Sequence, residues 1–81
     1  MATPLHFAAR SGQGFLASLL SDHGADVNAR DSLGRTPLHL AMVKSHVALA
    51  KQLIDAHGNP EIEDQNGNTV RRVAEVMGIE L

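Results

Sequence analysis

Apolar positions along the chain fall into short helical stripes separated by polar segments. Leu38, Ala41 and Met42 stand at i, i+3 and i+4, and beyond Ser45–His46 the residues Val47, Ala50, Leu53 and Ile54 keep the same period. Each set marks the buried side of a helix. The pattern predicts a first helix from Pro37 to about Lys44 and a second over Val47–Ala56. The same order stands upstream: an apolar stripe after Thr3, a turn at Ser11–Gly14 and a second helix over Gly14–His23. Thr3 and Thr36 suit the N-cap, because a threonine hydroxyl accepts from an orphan N–H of the first turn. Pro4 and Pro37 then fall at the first helical position, where a missing N–H does no harm. Gly24 and Gly58 lie just past the second helices, where a left-handed cap favours glycine. The segments ADVNARDSLGR and NPEIEDQNGN that follow are polar, with Asp three residues before Gly, a spacing that suits a tight turn.

The order repeats because the sequence repeats. TPLHFAARSG, TPLHLAMVKS and TVRRVAEVMG begin at Thr3, Thr36 and Thr69, each 33 residues apart, and residues 3–35 match 36–68 at eleven positions. A duplicated structural unit follows, with repeats at 3–35 and 36–68 and a partial third at 69–81. One discrepancy interrupts the frame. Gly24 lies 21 residues after Thr3, but Gly58 lies 22 after Thr36; a second helix one residue longer in the second copy is the expected remedy. In the third copy Thr69 can still cap and Val73, Ala74 and Met77 still form a stripe. Arg71 and Arg72 stand where the earlier copies have leucine and histidine. Polar substitution in a terminal unit closes off a stacked core, so a degenerate end helix is expected.

The TPLH-x-A run, the paired helices, the GADVNARD stretch and the 33-residue period resemble ankyrin repeats, over essentially all of Thr3–Leu81. The resemblance implies an all-α solenoid of stacked helix–turn–helix units with hairpin-like loops projecting as fingers. It also implies a protein-binding surface made by the finger tips and first helices. His6 and His39, in the TPLH slot, are expected to bond the threonine hydroxyl and nearby backbone, making Thr3, His6, Thr36 and His39 structural. Gly34 and Gly67 are the corresponding turn glycines. His46 takes a turn position that often holds histidine in the family, and Asn28 is a candidate for the asparagine hydroxylation known there.

Composition narrows the function. Eighty-one residues make one small domain, and with Phe7 and Phe15 the only aromatics the core must be built from aliphatic side chains and alanine. The absence of cysteine removes disulfides and thiol chemistry and suits a reducing, intracellular, cytoplasmic setting. A formal charge of −2 offers no basic footprint for nucleic acid. No apolar run approaches a membrane span.

Chemistry finds little support. His6 and His39 would lie about 10 Å apart at helix-packing distance, too far to share a zinc bound at about 2 Å per ligand. His23 and His57 fall at second-helix ends, where a cation faces the negative end of the dipole. Gly12-Gln13-Gly14 lacks the strand and further glycines of a dinucleotide fingerprint. The serines have no nucleophile elbow, and Asp31 and Asp64 read as turn caps. No cofactor, metal or catalytic residue is expected. The expected binding residues are Ser32, Leu33 and Arg35 in the first finger and Gln65, Asn66 and Asn68 in the second. On the first helices they are Arg10, Ser11, Val43, Lys44, Val76 and Met77. Two and a third units fall short of the three or so that stacked repeats need. Self-association through an exposed end, or a place in a longer array, is therefore expected.

Overall fold

The computed structural model describes residues 2–80. The described residues form five helices and no strand: α1 (Pro4–Ser11), α2 (Gly14–Asp22), α3 (Pro37–Val43), α4 (Val47–Asp55) and α5 (Val70–Met77). First helices pack side by side, α1 on α3 and α3 on α5, while α2 packs on α4 behind them. Ala8, Ala41 and Ala74 hold one repeat position and are all buried. A methyl group at that contact lets neighbouring axes approach to the near end of the usual 8–10 Å range. Leu5, Leu38 and Leu53 are fully buried around them, each contributing about 1.5–3 kcal/mol from removal of apolar surface. Among the described residues, no helix is long and apolar enough to cross a membrane.

Each first helix starts as a threonine cap dictates. The Thr3 hydroxyl accepts from the His6 N–H at 3.3 Å, and His6 Nδ1 accepts from the Thr3 N–H at 3.0 Å. Thr36 and His39 repeat the exchange at 3.3 and 3.1 Å. This is a capping box with imidazole in the role usually taken by a glutamate. The third copy keeps only half of it: Thr69 still accepts from the Arg72 N–H at 3.1 Å, but arginine has no acceptor to return.

The helices end slightly before the positions that periodicity predicts. Val43, Asp22 and Asp55 are the last helical residues, and Lys44, His23 and Ala56 act as caps. The longer second helix expected in repeat two is not there, because α2 and α4 each run nine residues. Nor is Gly58 the left-handed cap. His57 takes that conformation at φ 76°, in frame with Gly24 at φ 88°. The 33-residue register therefore holds without any extra residue. Gly58 is needed for a different reason: its N–H reaches Leu53 O at 2.7 Å, and a Cβ there would lie 2.7 Å from the same oxygen. The left-handed exit from the first helix likewise falls on Gly12 and Gly78 but on Ser45, at φ 61°, in repeat two.

The left-handed conformation costs a residue with a Cβ about 1–2 kcal/mol, against roughly 0.5–1 kcal/mol of chain entropy that glycine forfeits. His57 is exposed. His57→Gly is accordingly expected to stabilise the protein by about 0.5–1 kcal/mol, read as a higher urea midpoint at unchanged slope.

Candidate functional site

The two fingers are built around half-buried aspartates. Asp31 Oδ1 accepts from the N–H groups of Leu33 and Arg35, each at 2.9 Å, and its Oδ2 from Arg35 Nε at 2.9 Å. Asp64 Oδ1 accepts from Asn66 and Asn68 N–H, both at 2.9 Å. The turns close through Gly34 N–H to Asp31 O and Gly67 N–H to Asp64 O, both at 3.0 Å, with each glycine left-handed. Burial alone would raise both carboxyls, but it is outweighed. The Arg35 and Leu33 N–H groups and the Arg35 guanidinium hold Asp31 below the ordinary carboxylate range; the N–H groups of Asn68 and Asn66 do the same for Asp64. These aspartates are turn scaffolding, with Oδ1 of each committed to two backbone N–H groups.

Neighbouring units are fastened by side chains reaching backbone. Because Nδ1 of His6 accepts from an N–H, its proton sits on Nε2, which donates to Arg35 O at 2.8 Å. His39 Nε2 donates likewise to Asn68 O at 2.9 Å. His46 Nε2 reaches Arg10 O at 3.3 Å, with its ring so close to Gly12 that a Cβ there would meet it at 2.7 Å. His23 Nδ1 lies 2.8 Å from Leu19 O at the end of α2. The described residues hold no cluster of metal-binding type.

Asn28 spans the two loops. Its Nδ2 donates to His57 O at 3.1 Å and its Oδ1 accepts from Asn59 N–H at 2.8 Å. Sequence reasoning missed a comparable role for Arg30, which donates from Nε to Gly34 O at 3.2 Å and from its guanidinium to Glu63 O at 2.8 Å. Its tie to the second finger depends on finger spacing, which no local pattern announces. The fingers also meet directly, Gln65 N–H donating to Leu33 O at 3.0 Å. Gly34 lies at this junction, where a Cβ would stand 2.9 Å from Gln65 N.

With backbone and turn groups committed, most candidate binding side chains are left in solvent. Arg10, Ser11, Ser32, Leu33, Val43, Lys44, Gln65, Asn66, Val76 and Met77 are exposed. Arg35 and Asn68 are half-buried and already engaged through their main chains. Arg10, Val43 and Val76 form one row across the three first helices, and Ser11, Lys44 and Met77 the next. A seven-residue helix is about 10 Å long, so Val43 stands that far along α3 from the base of its finger. The candidate surface has two footings, finger tips and helix ends, rather than one pocket. Sequence reasoning passed over three more exposed apolar side chains, Phe7, Phe15 and Leu19. Comparing Phe7 with Leu40 in the repeat frame is the signal that would have found the first of them.

Comparison with known proteins agrees with this architecture. The family described as "Ankyrin repeats (3 copies)" matches residues 1–74, so the chain belongs to the ankyrin-repeat family. The ADP-ribosylation factor GTPase-activating protein AGD2 of Arabidopsis thaliana is 45% identical over 74 residues, 91% of this chain and 10% of that protein. The ARF GTPase-activating protein Git of Drosophila melanogaster is 48% identical over 56 residues, 69% of this chain and 8% of its own. Mouse Rabankyrin-5 is 42% identical over 69 residues, covering 83% and 6% respectively. The chain spans a tenth or less of the length of these three relatives.

Since the folded Asp31 carboxyl binds its proton less readily than an ordinary one, its contribution is complete above the ordinary value of 3.8 and is lost as pH falls below it. Asp31→Ala should cost about 1–3 kcal/mol at neutral pH, the price of leaving the Leu33 and Arg35 N–H groups unpaired. Urea titrations of both proteins towards pH 3 should show the gap narrowing as the wild-type carboxylate is protonated.

Proposed function

We propose that this chain is a non-catalytic protein-binding module, a single domain of two full repeats at 3–35 and 36–68 with a partial terminal repeat at 69–81. It engages a partner protein through its finger tips and the exposed ends of its first helices. Ankyrin repeats are in general protein-interaction modules, and membership of that family supports this reading. The observation that carries the reading is the contrast between a fully committed interior and a free surface. No buried polar side-chain atom among the described residues lacks a partner. The side chains of Thr3, His6, Asp31, Thr36, His39 and Asp64 hold backbone instead. Leu33 and Val43, by contrast, are large apolar groups left in solvent, with Lys44, Ser32 and Gln65 exposed beside them in sequence or across the fingers. Apolar centres rimmed by polar groups suit a protein interface. A rigid stack that presents side chains on short fingers is a scaffold for loop-borne recognition. A chain without cysteine also suits a reducing, intracellular compartment.

Leu33→Glu combined with Val43→Glu should weaken partner binding at least about tenfold while the far-ultraviolet circular dichroism stays that of the wild type. Proteins captured by the wild-type chain and missed by the double variant would identify the partner. Equal capture by a folded double variant would remove both footings from the binding surface.

A further inference from the structure

The middle repeat separates surface that faces a neighbouring unit from surface that faces none. Helix α3 is packed on both sides, by α1 and by α5, yet Val43 is 60% exposed and Lys44 beside it is exposed too. Their repeat equivalents, Arg10 and Ser11 at the end of α1 and Val76 and Met77 at the end of α5, are exposed as well. These two rows of side chains therefore face neither neighbouring unit. Charge along them is one-sided. The chain carries nine carboxylates to seven lysines and arginines, but none of the nine lies on α1, on α3 or at the tip residues Ser32, Leu33, Gln65 and Asn66. Asp31 and Asp64, beneath the tips, are held by Arg35 and by the Asn66 and Asn68 N–H groups. Glu63 shares the position of Arg30, whose side chain turns towards the following finger. The ion pairs among the described residues, Arg35–Asp31 and Arg71–Glu61, include neither Arg10 nor Lys44.

Resting on the reading of finger tips and first-helix ends as the partner surface, we propose what it binds: an extended acidic segment of another protein. Its carboxylates lie on Arg10 and Lys44, and its apolar side chains on Val43, Val76 and Met77. Arg10 stands at the α1 end of the rows and the apolar Val76 and Met77 at the α5 end, with Val43 and Lys44 between them. That gradient gives the segment a polarity, acidic over α1 and α3 and apolar over α3 and α5. At about 8–10 Å between neighbouring helices, the row from Arg10 to Val76 is roughly 20 Å long, which an extended chain crosses in about six residues. Charge also selects where the segment docks. Away from Arg10 and Lys44, nine carboxylates stand against five other lysines and arginines, so an acidic segment is turned away elsewhere and drawn to this row. A basic segment would meet two like charges at the same row. Nucleic acid would need a longer run of cations for its phosphates and would leave Val43, Val76 and Met77 uncovered.

Selection of random displayed peptides, twice that length, on the immobilised whole chain tests this. Selected sequences should be enriched in aspartate and glutamate, with apolar residues to one side of the acidic run. A selected peptide, made synthetically, should bind more tightly at low salt than at high salt. Arg10→Ala with Lys44→Ala should weaken it about threefold to tenfold, and Arg10→Glu with Lys44→Glu by more than about tenfold, each at wild-type helicity. Should the glutamate pair fail to fold, the alanine pair, truncated at two exposed side chains, carries the same test. The Leu33→Glu, Val43→Glu protein separates this proposal from the reading on which it rests. Peptides without acidic enrichment that this folded variant nonetheless loses would overturn the acidic partner and keep the surface. Peptides that it still binds would overturn both. A selection that yields no binder, an oligothymidylate bound more tightly than any selected peptide, or binding indifferent to a folded Arg10, Lys44 variant would also overturn the proposal.

Discussion

The close approach of the three first helices is the constraint from which the rest of the molecule follows. Ala8, Ala41 and Ala74, at one repeat position, are buried in the stack of α1, α3 and α5, and side chains this small let helix axes approach closely. That spacing decides what the next unit can reach. His6 Nε2 meets Arg35 O and His39 Nε2 meets Asn68 O at 2.8 and 2.9 Å, each across 29 residues. Larger side chains in the alanine row would push the helices apart and open both bonds together. The imidazole has two duties there. One nitrogen completes the cap of its own helix; the other secures the finger that leads into the next.

The same economy shapes the surface. Finger tips are short turns that would be mobile if their N–H groups faced only water, yet Asp31 and Asp64 tie down two N–H groups each. Arg30, Asn28 and the Gln65–Leu33 bond then hold one finger against the other. Side chains such as Ser32, Leu33 and Asn66 are thereby presented from a fixed backbone. Less ordering entropy remains to be lost when a partner binds.

The third copy shows which features of the repeat belong to stacking and which to continuation. Val70 and Ala74, which face the preceding helix, are apolar and buried. Arg71, Arg72 and Glu75, which would face a following unit, are charged and exposed. A shallow groove of about 360 Å³ remains beside α4, lined by Ile54, Pro60, Arg71, Ala74, Glu75, Ile79 and Glu80. The single helix α5 contacts α3 and leaves α4 partly bare. Arg71, Glu75 and Glu80 bring charge to its lining.

How much could be read without coordinates depended on whether the signal was local. The three threonine caps, the proline starts and the apolar stripes are properties of a few consecutive residues, and they place all five helices. The period itself followed from comparing the chain with itself. The exact exit from α4 did not, because glycine preference argued for Gly58 while the packing of the whole unit kept the frame and forced His57 into the left-handed conformation. Arg30, Phe7, Phe15 and Leu19 were also beyond local reading. Whether an arginine reaches the next finger, or an aromatic ring is buried or bare, depends on which unit lies alongside, and adjacency between units exists only in three dimensions. The sequence by itself determined the unit and its period, because caps and amphipathic stripes act over single helical turns. Only the tertiary structure decided which side chains fasten the units and which remain free, because that choice is made by neighbours some thirty residues away.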